Sequence, residues 1–159
     1  MRIWAKKRKI YSNKHGYLGG INFNLMLAVC CQMYPNADAG RLLFLFFDIM
    51  HKWDWPNPLL LCAPYPLGGP FDSEVWDPNN YRHATTSLMP IITPAYPAFN
   101  SARSVSKWSM KVMEEELARA HAIVLKVDLF SSNSSPSLST LTTNPRPRPH
   151  YKPSPSPCS

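Results

Sequence analysis

The sequence lacks the short patterns that would mark a metal site or a membrane span. Its four cysteines form no C-x-x-C pair and have no histidines at metal-ligand intervals. The apolar run 42–50 is much shorter than the roughly 20 residues that a spanning helix needs, and the polar, basic N-terminus does not have the pattern of a secretory signal. We therefore expect no bound metal and no membrane, and we expect the adjacent Cys30 and Cys31 to act as small buried hydrophobes.

Acidic residues are missing from the first part of the chain. Residues 1–15 contain six lysines and arginines and no acid, in a protein with a formal net charge of +7. Such a basic segment favours a phosphate-rich partner, such as a nucleotide or a nucleic acid. The alternative is a solvated helix face that only keeps the protein soluble.

Proline is abundant, and its distribution divides the chain. The length of 159 residues predicts one domain with a tail. Residues 131–159 consist mainly of Ser, Thr and Pro with little to bury, so we expect them to be a disordered tail. The domain itself is expected to cover 1–130.

Apolar periodicity predicts a mainly α fold, a small helical bundle. The predicted helices cover about 1–10, 20–33, 38–52 and 102–126. Asp38 is a plausible N-cap for the third helix. In the fourth helix, the run Glu114–Glu116 belongs to the predicted solvated face. The predicted apolar face consists of Val105, Trp108, Val112, Leu117, Ala120 and Val124.

Residues 56–101 carry no periodic element longer than a few residues. They include "LMPIITPAYPAFNS" (88–101), whose prolines exclude a helix and a central strand. The high aromatic content argues against disorder. We therefore expect a long, ordered, proline-rich connection packed on the helices.

Four blocks together resemble one family. They are "IWAKKRKIYSN" (3–13), "LGGINFNLM…CQMYPNA" (18–37), "KWDWPNPLLLC" (52–62) and "VWDP…LMPIITPAYPAFNS" (75–101). In this order they resemble the central domain of eukaryotic nuclear poly(A) polymerases, the plant enzymes above all. The resemblance covers about 1–130, and it implies that the proline-rich segment crosses the surface of a helical domain.

The resemblance implies a function for the whole polymerase. In the family, a nucleotidyltransferase domain holds two Mg²⁺ ions on three aspartates, and the central domain closes over ATP. A third domain, similar to an RNA-recognition fold, grips the primer. AMP passes from ATP to the 3′ end of RNA in mRNA polyadenylation. The implied partners are ATP, the RNA 3′ end and polyadenylation-complex proteins, and the implied location is the nucleus.

This chain is expected to be a central-domain fragment, truncated at both ends. The segment most similar to the family's metal-binding motif is Asp72-Ser73-Glu74. It lies in a proline-rich loop and lacks the rigid strand that such a site needs. We expect no catalytic residue and no metal or cofactor held by the chain alone. Without the carboxylate cluster we expect the isolated chain to be inactive. The resemblance nevertheless implies a nucleotidyltransferase, so whether the chain is itself an enzyme stays open.

The resemblance also implies five ATP-binding residues. Arg2 stands where the family has a lysine that contacts the phosphates, and Tyr11 matches a tyrosine that reaches the nucleotide. Asn13 matches an asparagine that helps to read adenine. Gly20 and Ile21 match the residues that lie against the base. The alternative is that Tyr11 and Asn13 only cap and pack a turn.

Two other functions remain open from the sequence. The chain could be a non-catalytic adaptor whose basic segment 2–14 binds RNA or docks on a polyadenylation complex. It could also be a pseudogene product without a stable fold, in which case we expect neither RNA binding nor a cooperative melting transition.

Overall fold

The computed structural model describes residues 1–77 and 87–132, with 128–132 described as helical backbone only. Its helices are α1 (Arg2–Lys7), α2 (Gly20–Met33), α3 (Ala39–His51) and α4 (Lys107–Ser132), with 3-10 turns at Asn13–His15 and Asp72–Glu74. No β-strand occurs in these described ranges. The predicted mainly α fold is confirmed. Of the predicted tail 131–159, only the first two residues are described, and α4 continues through them.

Local signals determine where α1 and α3 end or begin. α1 stops at Lys7 because Lys9 has a φ of 61°, a left-handed conformation that an α-helix cannot contain. The prediction of a helix to residue 10 is therefore wrong. α3 begins as predicted, since the Asp38 carboxylate accepts a hydrogen bond of 2.9 Å from the backbone N–H of Arg41.

The start of α4 is set by two serines rather than by its apolar pattern. The backbone N–H of Ser106 donates to the hydroxyl of Ser109 (2.9 Å), and the N–H of Ser109 donates to the hydroxyl of Ser106 (3.2 Å). This reciprocal capping satisfies donors of the first turn. α4 therefore begins at Lys107, not near 102, and it runs to Ser132, beyond the predicted end near 126.

One hydrophobic core joins the helices. α4 packs against α3, and α3 packs against α2. Side chains with no more than 3% of their surface exposed come from every part of the domain: Ala5, Ile10, Leu18, Phe23, Met26, Phe46, Met50, Leu59, Met89, Ile91, Met113 and Leu117. α1 and its flanking residues therefore belong to the same packed unit as α4.

The proline-rich connection is ordered where it is described. Leu59 and Ile91 form an isolated parallel bridge, and Ile92 and Asn100 form an antiparallel one. The N–H of Leu59 donates to the carbonyl of Pro90 (2.8 Å), and the N–H of Ile92 donates to the carbonyl of Leu59 (3.0 Å). These few bonds, with the burial of Met89 and Ile91, tie the segment to the core, as expected from its composition.

The predicted faces of the helices are wrong at several positions. Trp108 is 81% exposed and Val112 39%, whereas Ser109 and Met113 are buried. In the first two turns of α4 the buried positions are therefore one residue later than predicted, whereas Leu117 and Ala120 are buried as predicted. Glu116, which the sequence predicts on a solvated face, instead forms a salt bridge with Arg8 of the α1 C-cap.

One of the two adjacent cysteines also differs from the prediction that both are buried. Cys30 is buried, but Cys31 is exposed. Neighbouring residues on a helix are about 100° apart, so the packed face of α2 includes Cys30 and leaves Cys31 at the surface.

Candidate functional site

The first turn of α2 is the centre of the candidate site. Gly19, the N-cap residue, has no side chain that could cap the helix. Its own N–H donates to the side-chain oxygen Oδ1 of Asn22, at 2.7 Å. Among the described residues, no side chain accepts a hydrogen bond from the N–H groups of Gly20, Ile21 or Asn22. Free donors at a helix N-terminus favour a negatively charged ligand.

Two glycines let three predicted site residues approach this turn. A methyl group at Gly20 would lie 3.0 Å from the hydroxyl oxygen of Tyr11 and 3.3 Å from Cδ of Arg2. A methyl group at Gly19 would lie 2.9 Å from the amide oxygen of Asn13. These distances are tighter than normal contacts of a Cβ atom, so a side chain at either glycine would push Asn13, Tyr11 or Arg2 away from its observed position.

Tyr11 is held in place from several sides. Its ring lies parallel to that of Phe23 (9° between planes, 6.3 Å between centroids), and Nζ of Lys6 lies 5.2 Å from its centroid. Backbone bridging to Leu18 fixes its main chain. The next residue, Ser12, has a φ of 108°. A non-glycine residue in this region is strained, and such strain is common at functional sites.

Four of the five predicted ATP-binding residues therefore meet at one place. Arg2, Tyr11 and Asn13 converge on the Gly19–Gly20 turn. The fifth, Ile21, follows directly in α2 and is 51% exposed. Arg2 lies across Gly20, so a planar ligand that packs on this glycine has to displace the Arg2 side chain.

Three residues at this site were missed from the sequence. Asn22 occupies the third helical position, which in a capping box reaches back to the N-cap, so its position was a readable signal. A methyl group at Gly19 would lie as close to Asn13 as one at Gly20 would lie to Tyr11. Lys6 had no signal besides its charge, because its position over Tyr11 depends on the turn between them.

The surface beside the site is positively charged. Lys6, Lys7, Lys9 and Lys14 are all exposed, and within the described part of the chain none of them forms a salt bridge. Arg8 differs, since its guanidinium is bound to Glu116. The charge that remains available on this surface is therefore carried by lysines and Arg2.

Asp72 has a structural role in its loop. Its carboxylate accepts hydrogen bonds from the N–H groups of Leu67 (3.1 Å) and Gly68 (2.8 Å) and from the hydroxyl of Tyr96 (2.8 Å). The Tyr96 bond, with the loop N–H groups, holds the pKa of Asp72 below its usual value. No group of three metal-ligating side chains occurs among the described residues, and none of their helices is long and apolar enough to cross a membrane.

Comparison with known protein families agrees with the resemblance seen in the sequence. The family model described as "Poly(A) polymerase central domain" matches residues 1–138. The match extends beyond 130, so the domain boundary placed there stays a prediction.

Individual poly(A) polymerases are also similar to most of the chain. The chain is 45% identical over 123 residues to "Nuclear poly(A) polymerase 1" of Arabidopsis thaliana, which is 77% of this chain and 17% of that protein. It is 41% identical over 128 residues to "Poly(A) polymerase" of Dictyostelium discoideum, or 80% of this chain and 15% of that one. The chain thus spans less than a fifth of these relatives. With a family match over most of its length, and with the helical fold that the resemblance implies, the chain belongs to the poly(A) polymerase central domain family.

Proposed function

We propose that this chain acts as the central domain of a nuclear poly(A) polymerase and that the start of α2 contacts the adenine nucleotide. The whole polymerase would transfer AMP from ATP to the 3′ end of RNA. The observation that carries the proposal is the convergence of Arg2, Tyr11 and Asn13 on the Gly19–Gly20 turn.

Each group at this turn suits a part of the nucleotide. The free N–H groups of the first turn and the Arg2 guanidinium can bind phosphate oxygens. The amide of Asn13 offers both a donor and an acceptor, as the edge of adenine requires. Ile21 provides an exposed apolar side chain against which a purine can pack.

The described residues do not fit the Mg²⁺ ions that the family implies. Asp72 already accepts three hydrogen bonds within its loop, and no cluster of three ligating side chains is found among the described residues. We therefore assign the metal chemistry to the nucleotidyltransferase part of a complete polymerase. The chain alone would bind nucleotide without extending RNA.

Nucleotide titration of the intact chain tests the proposal. We expect ATP to shift the amide resonances of Gly19, Gly20 and Ile21 in a ¹⁵N–¹H spectrum, with a Kd that rises severalfold in Asn13→Ala. Asn36→Ala is the matched control, because Asn36 is exposed and follows the opposite end of α2. Shifts spread evenly over the molecule, or equal Kd values in the two variants, would contradict this site.

The exposed lysines favour a second candidate function, RNA binding by a non-catalytic adaptor. Lys6, Lys7, Lys9 and Lys14 can neutralise successive phosphates, and the affinity should then fall steeply with salt. Binding of oligo(A) at 50 and 200 mM salt tests this candidate. The double variant Lys7→Glu, Lys9→Glu should abolish binding, whereas Lys126→Glu on α4 should not. An unchanged affinity in the double variant would argue against it.

Location and protein partners remain proposals as well. Relatives named nuclear poly(A) polymerases support a nuclear location, and membership of the family supports contact with polyadenylation-complex proteins. A fluorescent fusion of the chain tests the first point, with cytoplasmic retention as the contrary result.

A further inference from the structure

A buried asparagine connects the candidate site to the proline-rich connection. Asn22 has no exposed surface, and its amide is bonded at both ends. Oδ1 accepts from the N–H of Gly19 (2.7 Å), and Nδ2 donates to the hydroxyl oxygen of Ser101 (2.6 Å). A buried amide is costly unless its hydrogen bonds are made, so the position of Asn22 depends on both partners.

Ser101 is fixed in turn by the connection. Its hydroxyl and its backbone N–H both donate to the carbonyl oxygen of Ile91, each at 2.8 Å. Ile91 is fully buried and forms the bridge to Leu59. A continuous relay of hydrogen bonds therefore runs from Ile91 through Ser101 and Asn22 to Gly19.

We propose that Asn22 and Ser101 are positioning residues for the nucleotide site. The inference rests on the function proposed above and adds a role for the proline-rich connection. Two consecutive glycines have wide conformational freedom, and the N-cap glycine cannot fix itself with a side chain. The relay restricts the turn so that Tyr11 and Asn13 face the ligand in one arrangement.

A matched pair of serine variants tests the relay. Ser101→Ala removes the acceptor of the Asn22 amide. Ser87→Ala removes another hydrogen bond of the same segment, from Nδ2 of Asn100 (3.1 Å). It leaves in place every bond of the relay and the bond from the N–H of Ile91 to Oδ1 of Asn100 (3.1 Å). Ser101→Thr keeps the hydroxyl and should restore the wild-type behaviour. All variants would be titrated with ATP at a temperature well below their Tm.

We expect Ser101→Ala to raise the Kd for ATP by about three- to tenfold, the range for one lost hydrogen bond, and to shift the amide resonances of Gly19 and Gly20 before any ATP is added. Ser87→Ala should lower the Tm but leave the Kd and these resonances unchanged. Equal Kd values in the two alanine variants, with ATP bound by the wild type, would overturn the positioning role alone. Failure of the wild type to bind ATP would overturn the proposed function and the positioning role together.

Discussion

The Arg8 guanidinium and the Glu116 carboxylate form two parallel hydrogen bonds, Nε to Oε2 at 2.6 Å and Nη2 to Oε1 at 2.7 Å. This pair joins the C-cap of α1 to the middle of α4. Bidentate geometry is the strongest form of the arginine–carboxylate contact. The hydrogen bonds from Arg8, and then the charges of Arg8 and Arg119, lower the pKa of Glu116 from its usual 4.5.

Glu116→Gln should destabilise the protein in a pH-dependent way. A carboxylate with a lowered pKa in the folded state contributes stability above its unfolded value, near 4.5, and loses it as the pH falls through the folded pKa. We expect the variant to melt a few degrees below the wild type at pH 7 and the difference to shrink below pH 4.5. Thermal melts between pH 7 and pH 3 measure this, with Glu115→Gln as the exposed control. A constant difference at every pH would contradict the prediction.

A histidine pair between α3 and α4 should add a second pH dependence at higher pH. The rings of His51 and His121 are stacked with centroids 4.7 Å apart, and Nε2 of His121 lies 3.1 Å from Oδ1 of Asp48. Burial lowers the pKa of His51, the charges of His121 and Lys52 lower it further, and Asp48 opposes the change.

The lowered pKa determines the sign of the effect. His51 contributes stability above its unfolded pKa near 6.5, and this contribution is lost as the pH falls through the lower folded value. Between pH 7.5 and 5.5, the Tm of the wild type should therefore fall by a few degrees more than that of His51→Gln. In His121→Gln, an NMR titration should give a pKa of His51 closer to 6.5. An unchanged pKa there would exclude His121 as a cause.

Two residues of α3 test which face of this helix is buried. Phe46 has no exposed surface, whereas Leu43 is 43% exposed. Phe46→Ala should lower the free energy of unfolding by about 3–5 kcal/mol, and Leu43→Ala should lower it by about 0.5 kcal/mol or less. Urea denaturation of both variants measures the contrast. Similar losses in the two variants would show that α3 packs in another orientation.

The adjacent cysteines should differ in reactivity. Burial raises the pKa of Cys30 to about 12, so almost none of the reactive thiolate forms at neutral pH. Cys31 is exposed. Iodoacetamide at pH 8 should therefore modify Cys31 in minutes and leave Cys30 intact, as measured by fragmentation mass spectrometry. Both should react in guanidinium chloride, and fast modification of Cys30 without denaturant would count against the packing of α2.

The predictable parts of the fold are those with local causes. α2 spans the predicted 20–33, and α3 starts after its Asp38 cap, because periodicity and capping act within a few residues. The burial of Met113 in place of Trp108 was not predictable from the sequence, since both residues are apolar and only the packing of α4 on α3 decides which one is buried. The family motifs predicted that Tyr11, Asn13 and Gly20 belong to one site. The Asn22–Ser101 hydrogen bond joins residues 79 positions apart, so no local pattern in the sequence predicts it.

The Arg8–Glu116 pair has a consequence for the speed of folding. Its partners are 108 positions apart in the chain, so this contact between α1 and α4 can form only when most of the chain has been brought together. Helical proteins usually fold fast because their contacts are local, and folding slows as the mean separation of contacting residues grows. This helical domain, closed by contacts between its two ends, should therefore refold more slowly than a bundle of neighbouring helices of the same size.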